Sequence, residues 1–289
     1  MRCGILLAGG RSTRLYPASI GVNKHLLAVY DKPMIYYSLS LIMMANIEDI
    51  LVITTPEALS PMQKLLGDGR HLGLNITYAR QPAPKGIADA FLIGEEFIGG
   101  RSVMLVLGDN ILHGNGLGDM LQMASLQEKS ARIYAYRVKN PARYGVVELD
   151  GDGNPVSVEE KPANPKSPYA VPGVYFYDNE VVCMASRLVP SARKELEITD
   201  INNAYIGQGR MRVDVLGRGI TWMDAGTPES LMQAANYVYA VQERQGVLVA
   251  SPEEVAYRKG FIDHEQFLGL AEDLQCSSYG QTLLALAKE

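Results

Sequence analysis

The chain has 289 residues, with 27 lysines and arginines against 32 aspartates and glutamates, which gives a formal net charge of -5. Its 47% hydrophobic and 20% charged residues are typical of a globular protein and exclude the disordered and fibrous classes. The acidic balance lacks the electrostatic footprint of a general nucleic-acid binder, so we expect no nucleic-acid partner.

Nothing in the sequence predicts a membrane anchor or export. The most apolar stretch, residues 34–47, is shorter than the ~20 residues that a bilayer span requires. The N-terminus lacks the apolar region and cleavage site of a signal peptide, so we expect a cytoplasmic protein. Cys3, Cys183 and Cys276 are far apart and without CxxC spacing, which favours buried free thiols over a disulfide or zinc site.

Apolar runs alternate with helix-like segments in the first part of the chain. The runs predict strands that are buried on both faces, at residues 3–7, 49–54 and 102–107. Residues 33–45 and 87–98 between them are predicted helices. The alternation predicts a parallel sheet with right-handed crossovers.

The pattern changes after Ala131. Further strands are predicted at residues 133–138, 144–149, 155–160, 170–177, 211–216 and 220–223. The turn at 150–154 joins two of them as a hairpin, and the last two are expected to pair around residues 217–219. A helix is predicted over 180–188, and the chain is helical from Thr227 onward, with Thr227 as N-cap and Pro228 at the first helical position.

These elements predict an α/β fold with a single Rossmann-like domain over residues 1–240. Its central sheet is mixed and carries a small antiparallel β extension. Residues 241–289 are expected to form a helical C-terminal appendage that packs on this domain.

The most informative segment follows the first predicted strand and reads L-A-G-G-R-S-T-R-L-Y-P over residues 7–17, with Lys24 ten residues beyond Arg14. A glycine-rich turn lets backbone N–H groups approach an anion, and nearby cations supply countercharge. The segment is neither a Walker A loop nor a dinucleotide fingerprint. From these residues alone, a phosphate loop and a tight turn with solvated arginines are both open.

Two carboxylates stand at the ends of predicted strands, Asp109 and Asp224. Ligands of open α/β sheets bind at such ends, and Mg²⁺ takes one or two carboxylates together with substrate phosphates. The alternative is that Asp109 only caps its loop. Glu160 and Lys161 suit a sugar hydroxyl and a phosphate, or form a surface ion pair.

Taken together, these segments resemble the glucose-1-phosphate thymidylyltransferase family of the sugar-1-phosphate nucleotidyltransferases. The matching segments occur in order at residues 30–37, 66–69, 94–99, 107–110, 143–148, 195–202 and 258–262. The resemblance implies a Mg²⁺-dependent homotetramer that converts dTTP and α-D-glucose 1-phosphate to dTDP-glucose and pyrophosphate, the first step toward dTDP-rhamnose and other deoxysugars. The sugar phosphate would attack the α-phosphorus in line, without a covalent enzyme intermediate.

The resemblance also implies roles for individual residues. The catalytic residues would be Arg14, Lys24, Asp109 and Lys161. The nucleotide would be bound by Gly9, Gly10, Ser12, Thr13, Arg14, Lys24, Gln81, Gly86 and Asp109, with Gln81 and Gly86 at the base. The sugar phosphate would be bound by Gly145, Glu160, Lys161, Val171 and Arg193. Asp109 and Asp224 would hold the metal.

The sequence departs from the family pattern mainly at the nucleotide end. The family's third loop glycine is Ser12, the glutamine after the lysine is His25, and further changes are Ala28, Lys85 and Ala225. Three interpretations follow: an active thymidylyltransferase with adjusted nucleotide affinity, an enzyme with relaxed or altered base choice such as UTP, or a catalytically weak homologue that binds nucleotide sugars as a regulatory partner.

Overall fold

The computed structural model describes residues 2–10, 12–127 and 129–288. Its strands are β1 (Arg2–Ala8), β2 (Ala28–Val29), β3 (Lys32–Pro33), β4 (Asp49–Thr54), β5 (Asn75–Arg80), β6 (Ser102–Leu107), β7 (Asn110–Gly114), β8 (Ala131–Arg137), β9 (Gly145–Leu149), β10 (Pro155–Glu160), β11 (Tyr169–Ala170), β12 (Val174–Tyr177), β13 (Met211–Val215) and β14 (Ile220–Asp224). Its helices are α1 (Met34–Met44), α2 (Leu59–Leu66), α3 (Asp89–Ile93), α4 (Glu95–Ile98), α5 (Leu117–Ser125), α6 (Glu180–Ser186), α7 (Ile198–Gly207), α8 (Pro228–Gln245), α9 (Pro252–Arg258), α10 (His264–Asp273) and α11 (Ser278–Leu286).

The first half of the chain builds a parallel sheet, as predicted. Strand β1 lies in the middle and pairs in parallel with β4 on one side and β6 on the other, while β5 extends the sheet beyond β4. Because parallel strands present their carboxyl ends at one edge, the loops after β1 and β6 leave the sheet side by side.

The second half of the chain adds antiparallel strands to the same sheet. Strand β12 pairs antiparallel with β6 and with β8, and the hairpin of β9 and β10 closes the far end. At the hairpin turn, Asp150 Oδ1 accepts a hydrogen bond of 2.8 Å from the backbone N–H of Asn154. The full order is β10-β9-β11-β8-β12-β6-β1-β4-β5, with β13 paired to β8, so the mixed central sheet and the antiparallel extension are confirmed.

Three predicted elements differ from the structure. The strand expected over 170–177 is interrupted at Pro172 and Gly173, because the Gly173 N–H bonds to the Asn110 side chain instead of a sheet partner. The helix expected over 87–98 is divided into α3 and α4 at Gly94. Strands β13 and β14 do not pair with each other: β13 runs parallel to β8, and β14 crosses to pair antiparallel with β7.

The central sheet is buried on both faces, as its apolar strands predict. Along β1, Leu6 packs into one core cluster with helix α1 and the C-terminal helices, whereas the alternate residues Ile5 and Leu7 pack into a second cluster with α3, α6 and α7. Phe267 of α10 and Leu283 of α11 belong to the first cluster. Helix α8 begins at the predicted cap, Thr227, and continues to Gln245. The division of the chain at residue 240 stays a prediction.

The thiols differ in their surroundings. Cys3 is buried in β1, and burial raises the pKa of its thiol to about 11. Cys183 and Cys276 are exposed, so the expectation of buried thiols is wrong for both. Within residues 2–10, 12–127 and 129–288, none of the helices is both long and apolar enough to cross a bilayer.

Candidate active site

The predicted phosphate loop and the predicted metal ligand Asp109 follow neighbouring strands. The loop leaves β1 after Ala8, and Asp109 follows β6. The backbone N–H of Gly108 donates to the carbonyl of Leu7 at 2.9 Å, which extends the β1·β6 ladder up to the site. Asp224, the last residue of β14, stands opposite Asn110 in the antiparallel ladder with β7, and the Ala225 N–H donates to the Asp109 carbonyl at 3.1 Å. Both acids are therefore fixed by backbone pairing.

The loop after β1 turns through left-handed backbone conformations. Gly10 has φ of 98° and Ser12 has φ of 53°. Arg11 lies outside the described residues. The Ser12 Oγ is buried and has no hydrogen-bond partner in the described part of the chain, while its carbonyl accepts from Ser19 Oγ at 2.8 Å. A serine thus occupies a conformation that favours glycine, at a cost on the order of 1 kcal/mol.

Lys24 is held against Asp109. The lysine stands at the start of a one-turn 3₁₀ helix, Lys24–Leu26, and its Nζ donates to Asp109 Oδ2. The Lys24 and Asp109 side chains are only 12% and 14% exposed. Burial alone would raise the pKa of Asp109, but the Lys24 charge and hydrogen bonds from Lys24 and Asn110 outweigh it, so the pKa lies below its usual value.

Asp224 has the opposite electrostatic environment. Burial and the negative charge of Asp109 raise its pKa, against the lowering effects of Arg14, Lys24 and the Gly226 N–H, which donates to Asp224 Oδ1 at 2.8 Å. The two carboxylates thus repel each other in a buried place. A cation between them would remove that repulsion.

His25 is buried beside the carboxylate loop. Its ring is 2% exposed, its Nδ1 lies 2.7 Å from Asn23 Oδ1, and a Cβ on Gly108 would lie 2.6 Å from its Cδ2. Desolvation, together with the neighbouring Lys24 charge, lowers the pKa of His25 to about 3. The imidazole is therefore neutral, and it packs against Gly108.

Two cavities meet at Asp109. The first cavity, of about 180 Å³, is lined by Leu7, Gly9, Gly10, Lys24, His25, Gln81, Pro84, Gly86, Ile87, Leu107, Asp109 and Glu195. The second cavity, of about 210 Å³, is lined by Arg14, Ile87, Leu107, Asp109, Asn110, Arg143, Tyr144, Gly145, Glu160, Lys161, Val171, Gly173, Tyr175, Trp222 and Asp224. Both cavities share Ile87, Leu107 and Asp109, so groups bound in them would face each other across one carboxylate.

Most of the predicted site residues line these cavities. The first contains Gly9, Gly10, Lys24, Gln81, Gly86 and Asp109. The second contains Arg14, Asp109, Gly145, Glu160, Lys161, Val171 and Asp224. Ser12 and Thr13 line neither, and Ser12 instead borders a neighbouring hollow behind the loop. The structure thus brings most of the predicted nucleotide residues to the first cavity and most of the predicted sugar-phosphate residues to the second, with Arg14 on the wall of the second.

Arg193 lines neither cavity, but it lies among acids at the rim of the second, where it contacts Glu160. Its guanidinium donates to Glu197 Oε2 at 2.7 Å, Glu195 Oε2 at 3.1 Å and Glu160 Oε1 at 3.3 Å. Burial would raise the pKa of Glu197, but hydrogen bonds from Arg193 and Ser191 bring it below its usual value. These bonds use the Nε and Nη2 atoms of the guanidinium, which leaves the donors of Nη1 for a phosphate.

Comparison with known proteins shows the family of this chain. A family model described as nucleotidyl transferase matches residues 3–240. A glucose-1-phosphate thymidylyltransferase of Mycobacterium tuberculosis is 54% identical over 283 residues, which cover 98% of both chains. The chain belongs to this family of nucleotidyltransferases. The resemblance inferred from the motifs is confirmed.

Two further relatives are similar over most of the chain. A glucose-1-phosphate thymidylyltransferase of Neisseria meningitidis is 53% identical over 286 residues, which cover 99% of each chain. A crystal structure from Bacillus anthracis, assigned to the same enzymes and in complex with a sucrose, is 38% identical with a TM-score of 0.76. It covers 82% of this chain and 95% of that one. The nucleotidyltransferase fold expected from the sequence is confirmed.

Sequence reasoning missed one central residue of this nucleotidyltransferase site, Asn110. It is 3% exposed, its Oδ1 accepts from Trp222 Nε1 at 2.7 Å and Gly173 N at 2.8 Å, and its Nδ2 donates to Asp109 Oδ1 at 3.0 Å. One amide therefore holds the carboxylate and the wall of the second cavity together. Its place directly after Asp109 in the matched segment was the available signal.

The chemistry of the acid pair fits Mg²⁺. The described residues contain no cluster of three or more His, Cys, Asp or Glu side chains that could form a complete metal site. Asp109 and Asp224 are, however, both on the wall of the second cavity, and the charge of Asp109 raises the pKa of Asp224. Mg²⁺ commonly binds one or two carboxylates and completes its octahedron with substrate phosphates and water.

Proposed function

We propose that this nucleotidyltransferase joins dTTP to α-D-glucose 1-phosphate, giving dTDP-glucose and pyrophosphate, as the names of its relatives describe for them. The observation that carries the proposal is the pair of cavities that adjoin at Asp109. In the reaction, an oxygen of the sugar phosphate forms a bond to the α-phosphorus of the nucleotide. The bond from the α-phosphorus to the bridging oxygen breaks, and that oxygen leaves with pyrophosphate.

The first cavity takes the nucleotide in this proposal. A Cβ on Gly10 would have nothing within 4 Å, so the loop backbone is open there for close approach by phosphates, whereas Gly9 makes room for the Gln81 side chain. Lys24 supplies a cation at the junction of the cavities. Gln81 and Gly86 lie on the same wall for the base. Arg14 borders the second cavity beside Asp224 and neutralises charge on the transferring and leaving phosphates.

The second cavity takes the sugar phosphate. Glu160 and the backbone of Gly145 and Val171 offer hydrogen-bond partners for glucose hydroxyls. Lys161 reaches Glu160 Oε1 at 3.1 Å and, with Arg193 at the rim, supplies positive charge for the phosphate. The chain thereby holds nucleophile and α-phosphorus close together, which is the main catalytic contribution in phosphoryl and nucleotidyl transfer.

Asp109 and Asp224 are the residues that would hold Mg²⁺. When bound, the ion supplies charge neutralisation for the triphosphate during transfer. Lys24 orients the Asp109 carboxylate through their hydrogen bond, and Asn110 fixes its other oxygen.

Pyrophosphate release tests the proposal. The full chain is incubated with Mg²⁺, glucose 1-phosphate and, separately, dTTP, UTP or no nucleotide. We expect release with dTTP and a product that comigrates with dTDP-glucose. No release from folded protein that still binds dTDP-glucose would contradict the proposal and favour the regulatory interpretation, and release with UTP alone would favour altered base choice.

Three further parts of the proposal concern the whole molecule. Residues 1–240 act as the nucleotidyltransferase domain and residues 241–289 as a helical appendage. The enzyme works as a homotetramer in the cytoplasm, where its nucleoside triphosphate substrate is available, and with no nucleic-acid partner. Light scattering on the purified full chain checks the tetramer.

A further inference from the structure

A buried hydrogen bond fixes the side chain of Gln81 on the wall of the first cavity. Gln81 follows β5 directly, and its backbone N–H continues the ladder by donating to the Thr54 carbonyl at 2.8 Å. Its side-chain Nε2 donates to Asp89 Oδ2 at 3.0 Å. The two residues are 5% and 8% exposed, so water does not compete for this contact.

The partner determines which end of the Gln81 amide faces the cavity. A carboxylate accepts hydrogen bonds and donates none, so the NH₂ group of Gln81 must face Asp89. The amide oxygen then lies on the other side, against Gly9: a Cβ built on Gly9 would be 2.1 Å from Gln81 Oε1. Turning the amide over would place its oxygen against the carboxylate, with two acceptors facing each other and no proton between them.

We propose that Asp89 is a positioning residue for base selection: it holds the Gln81 oxygen toward the first cavity, so that the site takes an imide base and rejects cytosine. Thymine and uracil carry an N3–H that can donate to this oxygen. Cytosine presents an unprotonated N3, which is an acceptor, at the corresponding position. The inference rests on the proposed function in that it places the nucleotide base in the first cavity.

Asp89 has no direct contact with the base in this scheme. It stands at the first position of α3 and is not among the residues that line the first cavity, whereas its partner Gln81 is. Because thymine and uracil share the N3–H, the pair separates imide bases from cytosine and does not separate dTTP from UTP.

Asp89→Asn tests the proposal because asparagine has the shape of aspartate but does not require the Gln81 NH₂ group to face it. An asparagine can accept from the Gln81 NH₂ or, after turning over, donate to the Gln81 oxygen. Both amides can then turn together and present an N–H to cytosine N3. We expect kcat/KM for dCTP to rise at least about tenfold, while kcat/KM for dTTP changes less than about threefold. Asp89→Ser, whose hydroxyl also both donates and accepts, is expected to act in the same direction and serves if the asparagine variant does not fold.

Two controls isolate the mechanism. Glu265→Gln removes an exposed acid from the first turn of another helix, α10, and is expected to leave the dTTP to dCTP ratio unchanged. In a Gln81→Met background, Asp89→Asn is expected to have no further effect on that ratio, since Asp89 acts through the Gln81 amide. A ratio that stays within about twofold of the parent in Asp89→Asn, or an equal effect of Asp89→Asn in the Gln81→Met background, would overturn the proposal.

Binding calorimetry separates this inference from the proposed reaction. Titration of dTTP and dCTP into the full chain with Mg²⁺ measures base preference without turnover. Absence of pyrophosphate release with a retained, Asp89-dependent preference for dTTP would contradict the reaction and support the base-selecting pair. Pyrophosphate release with dTTP, together with a preference for dTTP that does not depend on Asp89, would support the reaction and contradict the base-selecting pair.

Discussion

Arg14 and Asp224 meet over Gly226, where a Cβ would lie 2.8 Å from Arg14 Nη2 and 2.7 Å from Asp224 Oδ1. The glycine lets the guanidinium from the loop after β1 and the carboxylate from β14 approach the second cavity together. These two groups come from chain segments more than two hundred residues apart. The close approach of Arg14 to Asp224 therefore depends on the absence of a side chain at Gly226.

Gly226→Ala is expected to displace Arg14 and raise the KM for dTTP about tenfold, the effect of losing one good charged contact. Gly217→Ala is the matched control, because a Cβ there has nothing within 4 Å. Steady-state kinetics at saturating glucose 1-phosphate measures both variants. Equal KM values for the two would show that Arg14 does not depend on this gap.

Asp224→Asn is expected to separate stability from activity. Because burial and the Asp109 charge disfavour the Asp224 carboxylate, the neutral amide should raise the free energy of unfolding in EDTA while lowering turnover at least a hundredfold. Urea unfolding with EDTA and with Mg²⁺ checks this. Asp273→Asn, at an exposed acid, is the control, and a loss of stability in EDTA would contradict the repulsion between the acids.

Ser12→Gly is expected to lower the KM for dTTP and raise the free energy of unfolding by about 0.5–1 kcal/mol, because it relieves a left-handed residue and removes a buried, unpaired hydroxyl. Asn46→Gly relieves another positive φ, of 62°, on the exposed surface, and should leave the KM unchanged. Kinetics and urea unfolding of both variants give the comparison. A KM that rises in Ser12→Gly would mean that the hydroxyl assists binding.

His25→Gln is expected to weaken the loss of stability in acid. The pKa of His25 is 6.5 in its usual state and about 3 in the fold, so the unfolded chain binds a proton that the folded chain does not. This contribution to stability is complete above pH 6.5 and is lost as the pH falls toward 3, amounting to about 2 kcal/mol between pH 7.5 and 5.

Urea unfolding at pH 7.5 and pH 5 tests the His25 prediction, with His264→Gln as an exposed control. The drop in unfolding free energy should be smaller in His25→Gln than in the parent and in the control. Identical drops in all three proteins would place the acid sensitivity elsewhere.

The sequence predicted the elements whose signals are local. The predictions of β1, β4 and β6 from their apolar runs and of the helix cap at Thr227 are confirmed. Burial on both faces of a sheet and helix capping each depend on residues that are close in the sequence. Ser12, which stands where the family pattern has a glycine, has a φ of 53°, in the region that favours glycine.

Long-range partners were not predictable from local pattern. Strand β14 pairs with β7 across more than one hundred residues, whereas the short turn before it indicated a hairpin with β13. Asp89 was missed for the same reason, since it is an ordinary polar residue until the fold brings Gln81 to it, and for Asn110 the matched segment marked the position but not the contact with Trp222. The contacts of both residues leave no period or spacing in the sequence from which they could be predicted.

The pairing of β7 with β14 limits where residues can be inserted into or deleted from this enzyme. Side chains alternate across a strand, so deleting or inserting one residue within β14 would rotate Asp224 to the opposite face and remove it from Asp109. A length change among residues 217–219, which precede the ladder, is absorbed by the turn. Insertions and deletions among related enzymes should therefore occur at that turn and be absent from the five residues of β14 that follow it.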